Sequence, residues 1–244
     1  MANDKNIDLD KYKIAAEKNG YKIISINDEG FTNILFEQKP NELPAIFAYK
    51  GDITLLSDRT NNIAVVGVLT PDKDIIERER KIIENLAFRK KTIISGLAVG
   101  CDTAAHEYAL EFGAKTVAFL PSTLEKIYPK QNRELAKRIV EAGGLLVTEY
   151  ITEPPNRFET IKRFIQRDRL QALFSSAAIL IASYRKGEGD SGSRHCMQYA
   201  NKYGRKTYVM YNAKTDSNRA VFGLNADLAA KGCSILTLGG LNEL

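Results

Sequence analysis

From residue 63 onward the chain repeats one arrangement: a short, continuously apolar run rich in β-branched residues, then a segment of helical length and composition. The runs are Ile63–Gly67, Thr92–Ser95, Thr116–Leu120, Leu145–Thr148, Ala178–Ala182 and Thr207–Met210, with a last one at Ser234–Leu238. The segments between them are 72–90, 102–112, 131–142, 159–175, 192–203 and 223–231. A strand that is apolar on both faces must be covered on both, and parallel strands need crossover helices. The pattern predicts an α/β fold: a doubly wound, mostly parallel, Rossmann-like sheet with helices on both faces. Ahead of it, residues 8–19 predict a short helix. Tyr21–Ile26 and Ala45–Tyr49 predict short strands, with Pro40 and Pro44 marking the loop between them. Residues 1–60 are therefore expected to be an N-terminal extension packed on a core domain of residues 61–244.

Composition narrows the function classes. The 244 residues carry 35 Lys and Arg against 30 Asp and Glu, a net +5. Residues 1–60 hold 8 basic and 10 acidic side chains, so the basic excess belongs to the C-terminal portion, a balance that favours polyanions. The apolar stretches, such as Ala177–Ala182, fall far short of the roughly 20 residues a bilayer requires. The N-terminal MANDKNIDLDKYK has no apolar core, so neither a signal peptide nor a membrane partner is expected. Cys101, Cys196 and Cys233 stand far apart, which argues against a disulfide framework and a zinc site. A cytoplasmic protein with no metal and no cofactor is the expectation.

In doubly wound sheets, ligands sit beyond the carboxyl ends of the strands. There the sequence places Gly67, then Ser95-Gly96 followed by Leu97-Ala-Val-Gly100-Cys-Asp102, then the long turn Ser183–Ser193 that contains Gly187, Gly189, Ser191 and Gly192. Such turns let backbone N–H groups approach an oxyanion at a helix N-terminus. They match neither the dinucleotide fingerprint nor the P-loop. The competing reading is tight turns with Ser or Asp helix caps. Segment 157–169 interleaves Lys162, Arg163, Arg167 and Arg169 with Phe158 and Phe164, offering guanidinium groups for phosphates and a ring for a base. The simple alternative is an amphipathic helix with Phe in the core and Arg in water, which suits Phe158 and Arg163. A second basic stretch runs from Lys126 to Arg133. His106 follows Asp102 by one helical turn, a spacing that suits a structural pair, and His195 follows the Gly-rich turn. Neither Ser191 nor Cys196 has a base and an orienting acid identifiable from sequence, and Glu149 and Glu153 form no convincing catalytic pair. No catalytic residue is assigned, and the protein is expected not to be an enzyme.

These residues carry a resemblance. Ser95-Gly-Leu-Ala-Val-Gly-Cys-Asp-Thr-Ala-Ala-His106 resembles the S-G-x-A-x-G-x-D-x-x-A-H signature of the DprA/Smf family of DNA-processing proteins. In the same order, Tyr128-Pro129-Lys-Gln-Asn132-Arg-Glu-Leu135 is similar to Y-P-x-x-N-x-x-L. Gly144–Tyr150 is similar to G-x-L-x-S-E-Y, Phe164-Ile-Gln-Arg167-Asp168-Arg169 to F-x-x-R-N-R, and Ser191-Gly192-Ser193 to the SG[ST] turn. The resemblance implies an extended Rossmann-like fold that forms a homodimer and binds single-stranded DNA. It also implies protection of the strand and loading of a RecA-type recombinase, as in natural transformation. The implied phosphate-contacting and nucleic-acid-contacting residues are Gly67, Ser95, Gly96, Phe164, Arg167, Arg169, Ser191, Gly192 and Ser193, with Lys162 added from local charge. Arg167→Ala or Arg169→Ala is then expected to weaken DNA binding without unfolding the protein. The apolar tail Cys233–Leu241 is the candidate dimer contact.

The sequence departs from the family pattern at several places. Gly67-Val68-Leu69 stands where G-S-R is usual, Val99 where an Arg is often found, and Asp168 for the Asn of R-N-R; Arg194-His195 follows the SG[ST] turn in place of small residues. An alternative is therefore a Rossmann-like nucleotide or nucleotide-signal binding protein related to the phosphoribohydrolases. Gly187–Ser193 is loosely similar to their P-G-G-x-G-T-x-x-E, but Cys196 and Met197 stand where their Glu belongs. A protein-interaction scaffold with a vestigial pocket is a third option.

Overall fold

The computed structural model describes residues 9–31 and 42–237. The position of Pro40, the tail beyond residue 237 and the first eight residues lie outside them. Helix α1 (Leu9–Lys18) leads into β1 (Lys22–Ser25) and β2 (Ile46–Gly51). The alternating part follows as β3 (Asn62–Val66), α2 (Lys73–Phe88), β4 (Thr92–Ser95), α3 (Cys101–Glu111), β5 (Thr116–Phe119), α4 (Arg133–Glu141) and β6 (Leu145–Thr148). It continues as α5 (Arg157–Leu173), β7 (Ala177–Leu180), α6 (Arg194–Lys202), β8 (Lys206–Val209), the single turn α7 (Ala213–Asp216), α8 (Gly223–Ala230) and β9 (Ser234–Ile235).

The nine strands among the described residues form one sheet in the order β1-β2-β6-β5-β4-β3-β7-β8-β9. The seven strands from β6 to β9 in that order are mutually parallel, whereas β1 and β2 pair antiparallel to each other and β2 antiparallel to β6. The α/β, doubly wound, mostly parallel architecture expected from the repeat is what the chain adopts. Residues 22–51 extend this same sheet by two strands.

The period-2 alternation of β3 shows why both faces are dry. Ile63 and Val65 point into a core with Ile75, Ile82, Ile83 and Leu86 of α2 and Cys101, Ala105 and Ala109 of α3. Ala64 and Val66 point the other way, against Ala172 of α5 and Cys196, Met197 and Ala200 of α6. Helix starts are fixed by short polar side chains: Asp72 accepts from Ile75 N–H at 3.0 Å, and Asn156 accepts from Glu159 N–H at 2.9 Å. The chain reverses direction at β3, whose neighbours β4 and β7 run off to opposite sides. The connections that leave the carboxyl ends of these strands therefore go to opposite faces of the sheet and leave a crevice between them. Among the described residues, no helix is long and apolar enough to cross a membrane.

Candidate functional site

A cavity of about 410 Å³ occupies that crevice. Its floor is the strand ends, Val66-Gly67 of β3 and Gly96 after β4, and its wall is α5, through Phe164, Arg167, Asp168 and Gln171. The turn before α6 closes one side with Asp190, Gly192 and Ser193, and Tyr128, Pro129 and Gln131 close the other. Tyr128 and Phe164 meet edge-on, ring centroids 5.7 Å apart, and Tyr128 is 55% exposed. The rings thus form an aromatic rim at the mouth.

Arg167 dominates the interior. It is buried, its Nη1 3.7 Å from the Asp102 carboxylate and its Nε 3.1 Å from Asp168 Oδ1. Nη1 also donates to the Phe119 carbonyl at 3.4 Å. The guanidinium lies across the end of β4 so closely that a Cβ on Gly96 would stand 1.2 Å from Nη1, so any side chain there would have to displace Arg167. Gly67 is needed for a different approach, since a Cβ there would come within 2.5 Å of Cys101 Sγ at the start of α3.

Four backbone N–H groups of the turns around the cavity, at Leu69, Gly96, Ala98 and Gly192, already have partners. Asp102 accepts from Gly96 N–H at 3.1 Å and from Ala98 N–H at 3.3 Å. Asp190 accepts from Leu69 N–H at 2.7 Å and from Gly192 N–H at 3.3 Å. Burial raises the Asp102 carboxyl above its ordinary range, with the Arg167 charge pulling it back. Burial pushes Asp168 up to about 7, again against the pull of Arg167, with Asp102 adding to the rise. The lining residues thus carry three carboxylates to one guanidinium.

Six of the ten residues singled out from the sequence line the cavity: Gly67, Gly96, Phe164, Arg167, Gly192 and Ser193. The other four lie elsewhere. Ser95 is buried, its hydroxyl donating to the Val65 carbonyl at 2.7 Å between β4 and β3. Ser191 is buried and accepts from Arg194 Nη1 at 2.9 Å. Lys162 is exposed, 3.2 Å from Glu159. Arg169 leaves the cavity side of α5, forming an ion pair with Glu149 at 2.7 Å and a bond to the Glu42 carbonyl.

Local expectations on the same helices change too. Arg163 is buried rather than solvated, donating to the Thr152 carbonyl at 2.6 Å with its guanidinium 4.3 Å from the Tyr150 ring centroid. Phe158, expected in the core, is 74% exposed. His106 pairs with Thr116 Oγ1 at 2.7 Å rather than with Asp102, whose carboxylate is taken up by the turn. Burial, helped by the nearby Arg167 charge, lowers the His106 pKa to about 3. His195 lines a separate groove of about 710 Å³ with Lys186, Arg194 and Lys231, where burial and the Arg194 and Lys186 charges lower its pKa. Tyr128, Gln131, Asp168, Gln171 and Asp190 were not singled out as site residues. The signal available for Asp190 was its place in a Gly-rich turn at a strand end. Among the described residues no His, Cys, Asp and Glu cluster suits a metal ion.

The chain matches the family model described as DNA recombination-mediator protein A over residues 22–237. It is 35% identical over 152 residues to Protein Smf of Borreliella burgdorferi, covering 58% of this chain and 45% of the relative. It is 32% identical over 170 residues to DNA processing protein DprA of Streptococcus pneumoniae, covering 69% of this chain and 56% of the relative. The chain spans about half the length of the curated relatives it matches. The solved structure of the S. pneumoniae protein superposes with a TM-score of 0.76 at 28% identity, over 96% of this chain and 77% of that one. DNA processing protein A of Helicobacter pylori, described for its single-stranded DNA binding mode, superposes with a TM-score of 0.69 at 26% identity, over 88% and 89%.

Proposed function

This chain belongs to the DNA recombination-mediator protein A family, and from that premise we propose that it binds single-stranded DNA at the crevice between β3, β4 and α5 and takes part in DNA processing. The observation that carries this reading is the cavity itself. It is ligand-sized, it lies at the reversal point of the sheet, and its mouth is rimmed by Tyr128 and Phe164. An aromatic rim suits unstacked bases, because every base has a face to stack and a duplex presents none. Exposed Lys126, Lys130 and Arg133 stand on the segment that supplies Tyr128 and Gln131, within reach of a phosphate backbone that passes outside the cavity. The H. pylori relative's DNA binding supports the same reading. Binding without catalysis, a homodimer, a RecA-type recombinase as partner, a cytoplasmic location and the division at residue 60 belong to this proposal.

The test is fluorescence anisotropy with a labelled single-stranded oligonucleotide at two salt concentrations, with duplex and mononucleotide competitors. About three phosphate contacts predict about a 20-fold loss of affinity between about 50 and about 200 mM salt. Duplex should compete poorly. Absence of binding at the lower salt refutes the proposal.

A further inference from the structure

We infer that the groove of about 710 Å³ between α6 and α8 is a second binding stretch for single-stranded DNA, which takes up the phosphate backbone of the strand beyond the cavity. The inference extends the single-stranded DNA reading and rests on it for the identity of the strand. Three observations lead to it. First, groove and cavity share a wall. Gly192 and Ser193 line the cavity, and the next two residues, Arg194 and His195, line the groove, so only the first turn of α6 separates the two hollows. Second, their charges are opposite. The cavity sets Asp102, Asp168 and Asp190 against Arg167, whereas the groove sets Arg185, Lys186, Arg194 and Lys231 against the single carboxylate of Asp227. Arg185 takes that carboxylate with two bonds, at 2.9 and 2.8 Å. Those bonds hold the Asp227 carboxyl below its ordinary range, with the Lys231 charge adding to the pull. Among the described residues, Lys186, Arg194 and Lys231 form no ion pair, and both lysines are exposed.

Third, the cations converge. Burial lowers the His195 pKa, and the Arg194 and Lys186 charges lower it further, so the fields of both reach one ring. Like charges gathered in a hollow repel one another, and an anion between them removes that cost. The floor decides which polyanion fits. Met197, Leu224 and Leu228 line the groove and pack on the core beneath it. A single strand can lay its uncharged base faces on such a floor while its phosphates meet Lys186, Arg194 and Lys231. A duplex keeps its bases stacked inside and offers the floor nothing.

The experiment uses the full chain and labelled thymidine oligonucleotides of about 4 and about 16 nucleotides, the span of site sizes that single-strand grooves cover. The short one fills the cavity and meets Lys126, Lys130 and Arg133; the long one also reaches the groove. Between about 50 and about 200 mM salt, three phosphate contacts predict about a 20-fold loss of affinity for the short oligonucleotide, and six predict about a 300-fold loss for the long one. The double variant Lys186→Ala, Lys231→Ala removes two exposed side chains and should reduce the long oligonucleotide's loss to about 50-fold, leaving the short one at about 20-fold. Arg194 stays in place, because it also donates to the Ser191 carbonyl at 2.7 Å. Equal salt dependence for both lengths, or a steep dependence that survives in the double variant, overturns the inference and leaves single-stranded DNA binding at the cavity standing. A duplex of the long sequence that competes as well as the single strand also overturns it. Binding of the long oligonucleotide alone, lost in the double variant, keeps the groove and removes the cavity reading. Binding of neither length at the lower salt removes both.

Discussion

Replacing Asp168 with Asn should raise stability, and more so at higher pH. The side chain is buried next to Arg167 and Asp102, and burial lifts its carboxyl from the ordinary 3.8 to about 7. The folded protein therefore holds this proton more tightly than the unfolded chain does. Between about pH 4 and pH 7 the unfolded chain has lost the proton and the folded one has kept it, so stability falls as pH rises through this window. Above about pH 7 both states are ionised and the cost is constant. At about 1.4 kcal/mol per pH unit, the full interval bounds that cost at about 4 kcal/mol, of which about 3 kcal/mol accrues above pH 5. Asn cannot ionise, yet its side-chain oxygen can still accept from Arg167 Nε. Urea denaturation of both proteins from pH 5 to pH 8 should show the D168N advantage growing by up to about 3 kcal/mol. For a chain of this length that is about 6–12 °C in Tm. Carboxylates elsewhere titrate in both proteins and cancel in the difference. Parallel curves, or a D168N protein less stable than wild type at pH 8, would refute the claim that this carboxylate is held protonated by burial.

Phe164→Ala should weaken single-stranded DNA binding about 10-fold with little change in Tm, since base–aromatic stacking contributes about 1–3 kcal/mol and the ring sits at the cavity rim; anisotropy and thermal melting measure the two effects. Arg167→Ala is a poor binding probe. It leaves two buried carboxylates unpaired and should cost about 3–5 kcal/mol of stability, contrary to the expectation of an unchanged fold, which chemical denaturation will show. Gly96→Ala should act on the same pair, because the new methyl displaces the Arg167 guanidinium; lowered Tm together with lost DNA binding is the expected outcome. Far from the cavity, Asn225 is fully buried and its side chain bonds Ser183 N–H and the carbonyls of Leu180, Ile181 and Met210 at 3.0–3.2 Å. Asn225→Ala should destabilise by about 3 kcal/mol while leaving binding intact in the folded fraction, measured by denaturation and anisotropy.

The fold was readable because its signal is redundant. A two-sided strand is apolar on both faces, with polar residues such as Asn62, Thr92, Ser95, Thr116 and Thr148 only at its ends, so β3, β4, β5, β6 and β7 each announce themselves by consecutive apolar residues, and all five are buried along their whole length. The site was read less well because its side chains were judged by type and not by position on the helix period. Arg163, Arg167 and Leu170 fall at helical spacing on α5, and all three are buried; that stripe marked the arginines as interior. Arg169 lies off the stripe, and its partners Glu149 and Glu42 are 20 and 127 residues away, a distance over which local pattern says nothing. Asp102 closes the Gly96–Ala98 turn and Asp190 bridges its own Gly192 N–H to Leu69 N–H after β3; neither caps its helix as the alternative reading expected, since the N-cap residues Gly100 and Ser193 make no side-chain cap bond.

Net charge misleads at the same place for a related reason. A formal +5 describes the field that a polyanion meets at a distance, where charges sum and salt screens them. Inside a cavity of about 410 Å³ the sum is replaced by the few groups within hydrogen-bond reach, and here those are mainly carboxylates. The two scales assign different parts of one ligand to different parts of the protein. A phosphodiester backbone would be drawn to the exposed lysines and arginines, while the acidic interior disfavours a second anion. On the proposed reading, a chain that lacks arginine at Leu69 and Val99 and carries a carboxylate at Asp168 would meet the phosphates of a single strand outside the cavity, at the exposed Lys126, Lys130 and Arg133.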